Sequence, residues 1–147
     1  MTTTSMKRGL ICFLNLILLM AIYPTAASAK KNASYETYNC TIDGVERTYK
    51  LYLPAGIGAD APLVFALHGY GGTFDLDHVG LNQVADKYGF AVCYPQGSKD
   101  GRGKNCWNVG YPFQHDMKVD DISFLSKLAK RLQKEHSLSK RNTFCTG

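Results

Sequence analysis

Pro62-Leu-Val-Phe-Ala-Leu-His-Gly-Tyr-Gly-Gly72 is the stretch that decides how this chain is read. Residues 63–67 form a continuous apolar run, too short for an ordinary helix, with no polar alternation. Such a run suits a strand covered on both faces, as in a parallel sheet. His68-Gly69 stops it. The glycines that follow carry no Cβ, so backbone N–H groups in this loop can come close to a ligand. The spacing lacks the third glycine of a dinucleotide-binding turn, which sets that chemistry aside.

Working outward from this strand, the chain alternates. Residues 81–88 read as a short helix closed by Gly89, a residue suited to a left-handed C-cap. Residues 90–94 are a second buried run, stopped by Pro95. Residues 96–115 read as one long Gly- and Asn-containing loop, of the kind often used for function. Residues 117–136 read as an amphipathic helix with Val119, Ile122, Leu125, Leu128, Ala129 and Leu132 on its apolar face. Asp116, Asp120 and Asp121 lie near its start and Lys127, Lys130, Arg131 and Lys134 toward its end, both placements matching the helix dipole. The lysines read as a solvated face. Adjacent acids on a helix point about 100° apart, so Asp120 and Asp121 read as capping and packing groups rather than a converging catalytic pair. Residues 142–146 form another short strand that leads into Gly147. Upstream, residues 38–42 and 46–53 flank Asp43-Gly44 as a hairpin. Residues 54–62 are a loop and residues 30–36 a frayed lead-in. The sum is the βαβ alternation of an α/β fold in one domain.

Composition agrees. The 147 residues are 45% hydrophobic, 12% aromatic and 20% charged, enough for one core and too few residues for two ordinary domains. The formal charge of +5 is spread without a basic stripe away from the last helix, which argues against a nucleic-acid partner. Residues 1–29 carry the marks of a secretory signal peptide. Lys7 and Arg8 precede an apolar run over residues 10–23, Pro24 breaks it, and Ala27-Ser28-Ala29 supplies a cleavage site. The run is about 14 residues, short of the ~20 a spanning helix needs. The expectation is a secreted, extracellular or periplasmic, chain with no membrane contact after cleavage. Cys40, Cys93, Cys106 and Cys145 then remain, in any of three pairings. No Cys-x-x-Cys or Cys/His cluster suggests a metal.

Taken in order, several stretches resemble a known group. They are Arg47-Thr-Tyr-Lys-Leu-Tyr-Leu-Pro54, Pro62 to Gly72 as quoted above, Gly89-Phe-Ala-Val-Cys-Tyr-Pro-Gln-Gly97, Cys106-Trp-Asn108, Val119-Asp-Asp-Ile-Ser-Phe124 and Arg141-Asn-Thr-Phe-Cys-Thr-Gly147. The set, covering nearly all of residues 46–147, resembles the secreted α/β-hydrolase esterases of the poly(3-hydroxybutyrate) depolymerase, feruloyl esterase and acetyl xylan esterase type. The resemblance implies a three-layer α/β/α sandwich with a mostly parallel sheet and a serine carboxylic-ester hydrolase that needs no cofactor. Its partner would be a polymeric or oligomeric ester: a polyester, or a feruloyl or acetyl ester of plant cell-wall polysaccharide. It assigns the Tyr70 backbone N–H to the oxyanion hole, within a loop of Gly69, Gly71 and Gly72, and Trp107 to a substrate-side loop.

In this fold the nucleophile sits in Gly-x-Ser-x-Gly between a strand and a helix, followed by acid and then histidine. Gly147 stands where the first of those glycines would be. The expectation is therefore that residues 30–147 are the N-terminal part of one α/β-hydrolase domain, truncated before the nucleophile elbow, with the whole triad beyond Gly147 and no activity of its own. His68, upstream of the elbow, becomes a structural brace of the oxyanion loop. The implied strand order puts residues 63–67 between residues 90–94 and 142–146. Cys93 and Cys145 are then two strands apart and unbonded. Any bridge would involve Cys40 or Cys106, expected in or beside turns and loops. The alternative reading is a non-catalytic polysaccharide- or polyester-binding protein, with Trp107, Tyr111 and Phe113 as a stacking face.

Overall fold

A computed structural model of the chain describes residues 32–147, so the signal-peptide reading of residues 1–29 lies outside the described residues. The hairpin is longer than its sequence pattern. β1 (Ser34–Ile42) pairs antiparallel with β2 (Val45–Leu53) along its whole length, from Ser34 opposite Leu53 to Ile42 opposite Val45. The frayed lead-in expected to end at Glu36 is thus strand from Ser34 onward. Its polar side chains hid this, because a sheet edge needs backbone pairing rather than apolar residues. Asp43 and Gly44 both take positive φ in the turn, as the Asp-Gly pair allows.

β3 (Leu63–Ala66) and β4 (Ala91–Pro95) follow, joined through helix α1 (Leu81–Tyr88). β5 (Ser98–Lys99) and β6 (Asn105–Cys106) form a small antiparallel ribbon inside what the sequence reads as one loop. Helix α2 (Asp121–Glu135) and β7 (Thr143–Thr146) complete the described chain. The main sheet runs β1-β2-β4-β3-β7. It is mixed: β2 pairs antiparallel with β4, while β4, β3 and β7 are mutually parallel.

Alternation along the strands builds two cores, one on each face. Tyr49, Leu51 and Leu53 of β2, Leu63 and Phe65 of β3, and Ala91 and Cys93 of β4 point to one side and pack with Phe124, Leu128 and Leu132 of α2. Tyr52, Ala66, Val92 and Tyr94 point to the other side and meet Ala85 of α1. Helix, sheet, helix is the three-layer arrangement. Burying Phe124, Leu128 and Leu132 contributes up to about 1.5–3 kcal/mol each.

The register of α2 differs from the periodicity reading in two respects. It begins at Asp121 rather than Met117, because the Asp120 carboxylate accepts the Ser123 N–H at 2.8 Å and caps the helix there. Its buried stripe is Asp121, Phe124, Leu128 and Leu132, with Ile122 76% exposed. The inward turn of Asp121 rotates the helix about its axis and takes Ile122 out to solvent.

β3 lies between β4 and β7, with Cys93 and Cys145 opposite Phe65 on either side. All four cysteines of the described chain are free. Cys40 is not beside a turn as expected: it is buried within β1, opposite Arg47. Burial pushes the Cys93 thiol well above its ordinary range, with a smaller push from Cys40.

Candidate active site

The C-terminal ends of β3 and β7 and the β5–β6 ribbon meet around His68. This imidazole is buried and both nitrogens are used. Nε2 accepts the Gly97 N–H at 2.9 Å. Nδ1 therefore carries the proton and donates to the Gly69 carbonyl at 2.8 Å. The Gln96 side-chain amide also lies 2.9 Å from Nε2. Trp107 covers the ring at 5.0 Å between centroids and donates its indole N–H to the His68 carbonyl at 2.9 Å. A histidine held this way shapes the loop around it and has no nitrogen left for a substrate. That is the bracing role expected of it.

The loop after β3 is tied down residue by residue. Gly71 donates to the Asn105 carbonyl at 2.7 Å, and the Asn105 side chain donates back to the Gly72 carbonyl at 2.9 Å. Gly71 takes φ +76°, a conformation that favours glycine. Gly72 N–H closes onto the Gly69 carbonyl at 3.0 Å. Between them, the Tyr70 backbone N–H donates to no other described residue. The Tyr70 side chain is anchored at both ends. Its hydroxyl donates to Asp100 Oδ2 at 2.8 Å, and its ring meets Phe113 edge-on at 5.7 Å. The hydrogen bond to Asp100 raises the Tyr70 phenol pKa.

Asp100 organises the ribbon turn. Its Oδ1 accepts the Arg102 and Lys104 N–H groups at 2.9 and 3.0 Å. Burial alone would raise its pKa; the bonds from Lys104, Tyr70 and Arg102 outweigh this and lower it. Gly97 lets the ribbon approach β4. A Cβ there would stand 2.4 Å from the Cys106 carbonyl oxygen and 3.1 Å from His68 Nε2.

An open pocket of about 530 Å³ lies at this end of the parallel strands, bounded by Leu67, His68, Trp107, Cys145, Thr146 and Gly147. The three aromatics offered by the sequence as one stacking face are separated. Trp107 packs on His68. Tyr111 and Phe113 stack on each other at 5.4 Å, with the Arg102 guanidinium 4.7 Å from the Phe113 ring centre.

A buried network behind the site escaped the sequence reading. Arg47 Nη2 donates to Asp121 Oδ1 at 2.6 Å, and both side chains are under 5% exposed. Asp121 Oδ2 accepts the Asn108 N–H at 2.6 Å, while the Asn108 amide donates to the Met117 and Val119 carbonyls. Arg47 also reaches the Gln96 carbonyl at 3.2 Å and lies 3.8 Å over the Phe124 ring. The network joins β2, the strand-end loop, the Trp107 loop and α2. A signal was present: Arg47 shares the inward parity of Tyr49, Leu51 and Leu53, and a buried guanidinium demands an acid. Among the described residues no three His, Cys, Asp or Glu side chains cluster as a metal site would require.

Residues 47–146 match the family described as esterase PHB depolymerase. Poly(3-hydroxyalkanoate) depolymerase C of Paucimonas lemoignei is 26% identical over 97 residues, 65% of this chain and 23% of its own length. The structure of S-formylglutathione hydrolase from Staphylococcus aureus superposes with a TM-score of 0.54 at 14% identity, over 78% of this chain and 47% of that one. A thermostable esterase from Pseudomonas putida gives 0.55 at 14% identity, over 78% and 34%. These two likenesses show the α/β-hydrolase fold. The chain spans about a quarter of the curated relative's length and under half of either solved structure.

Proposed function

The chain belongs to the esterase PHB depolymerase family, and from that premise we propose that it is the oxyanion-loop part of a secreted serine carboxylic-ester hydrolase. Its substrates would be polyester or feruloyl and acetyl esters of plant cell-wall polysaccharide. One observation carries the reading: a hydrogen-bonded Gly69–Gly72 loop at the C-terminal end of β3 in which the Tyr70 N–H has no partner among the described residues. This reading assigns the nucleophile, base and acid to residues other than those described.

In that protein the serine oxygen attacks the ester carbonyl carbon as its proton passes to the histidine. The carbonyl electron pair moves onto oxygen and accepts the Tyr70 N–H. Collapse expels the alcohol, which takes the proton back, and water then releases the acid by the same sequence. One such donor contributes about 3 kcal/mol to the transition state.

Two measurements test the proposal. The 147 residues alone are expected to show no p-nitrophenyl acetate turnover above background. Turnover abolished by a serine-directed fluorophosphonate would overturn that. In the complete protein, Tyr70→Pro, which deletes the N–H, is expected to lower kcat by roughly 10²–10³-fold. Tyr70→Phe keeps the N–H and should retain most of kcat. Equal losses in the two variants would remove Tyr70 from the oxyanion hole.

A further inference from the structure

At the other end of the sheet, next to the starts of β3 and β7, lies a larger concavity of about 990 Å³. Lys130 and Lys134 from α2 and Lys140 and Arg141 from the loop beyond it line this groove. None of the four makes an ion pair among the described residues. Their neighbours on the same helix do: Lys127 pairs with Asp43 and Arg131 with Glu135. The cations left uncompensated are the ones that face the groove. The C-terminal dipole of α2 accounts for Lys134, but Lys140 and Arg141 lie past the last helical turn, where that effect fades.

The groove is built on a fixed frame. Asp60 and Ser137 both take positive φ and are joined by Asp60 N–H to the Ser137 carbonyl at 2.8 Å. Ser139 N–H donates to the Ala61 carbonyl at 2.9 Å, and the buried Leu138 makes an apolar floor. Asp60 is the one acid among the lining residues.

We propose that this groove is a docking site for an acidic polysaccharide, separate from the pocket at His68. All four cations are exposed, so none is desolvated enough to hold a single small anion tightly, and affinity must come from several charges met at once. The lining has no aromatic ring, whereas single-stranded nucleic acid is gripped by stacking as well as charge. A carboxylate or sulfate on each of several successive sugars fits both features. The inference does not depend on the ester-hydrolase reading.

The test is affinity electrophoresis of the full chain through gels containing polygalacturonate, heparin, fully methyl-esterified pectin or duplex DNA. Retardation is expected with polygalacturonate, heparin or both, the pattern telling carboxylate from sulfate. No retardation is expected with the neutral pectin, and added salt should abolish binding. Lys134→Gln with Lys140→Gln should weaken binding about tenfold. The charge-matched Lys127→Gln with Arg131→Gln should change it less than threefold. Both variants alter exposed side chains, and matching circular dichroism spectra confirm that they fold. Equal weakening by the two variants, no retardation in either acidic polysaccharide, or tighter binding to DNA would each overturn the proposal.

Discussion

Asp120 and Asp121 are adjacent and chemically identical, yet the fold gives them different work. Asp120 is exposed and caps α2 through Ser123. Asp121 is buried, faces Arg47, and also takes the Asn108 N–H. Asp120→Ala is expected to cost about 1 kcal/mol, the usual value of a cap. Asp121→Ala leaves a buried guanidinium without its acid and is expected to cost roughly 3–5 kcal/mol. Urea unfolding midpoints of the two variants check the ordering, and a reversed order would contradict the network. The sequence placed both residues at a helix start and named capping and packing as their roles. It did not reveal the partner, because Arg47 is 74 positions away and only pairing of β2 with β4 brings it under the helix.

At the scale of elements, the β5–β6 ribbon holds the loop after β3. Gly97→Ala would drive a methyl group into the Cys106 carbonyl and toward His68. It is expected to destabilise by roughly 1–3 kcal/mol, read as a drop in thermal midpoint. Asp100 makes the ribbon turn pH-dependent. Its folded pKa lies below the ordinary 3.8, so its contribution is complete above about pH 4 and is lost as pH falls through the lower folded value. The Arg102 and Lys104 amide NMR resonances are expected to titrate with a midpoint below 3.8; a midpoint above it would contradict the assignment. Asp100→Asn should abolish the transition. The ribbon reads as plain loop in the sequence because its strands are two residues each, too short to show any period.

At the scale of the whole molecule, β7 is the edge of the parallel half of the sheet among the described residues, with Phe144 57% exposed. An apolar edge strand with free backbone groups invites pairing between chains. The 147-residue chain is expected to associate with rising concentration, and Phe144→Thr to reduce this, as sedimentation velocity would record. A chain that stays monomeric at high concentration would contradict it. What the sequence determined by itself was local. Apolar runs, turn pairs and helix periodicity depend on neighbouring residues, so the order of the main strands and helices and the Gly69–Gly72 loop were legible in it, while the bracing role of His68 followed from the triad order that the family resemblance implies. What tertiary structure decided was long-range. The mixed sheet, the rotation of α2 that buries Phe124 and exposes Ile122, the Arg47–Asp121–Asn108 network and the separation of Trp107 from Tyr111 and Phe113 all depend on which distant segments meet. Periodicity marks which face of an element is apolar, but a buried charge takes its orientation from the one partner that can neutralise it, and that partner is set by the packing of the whole chain.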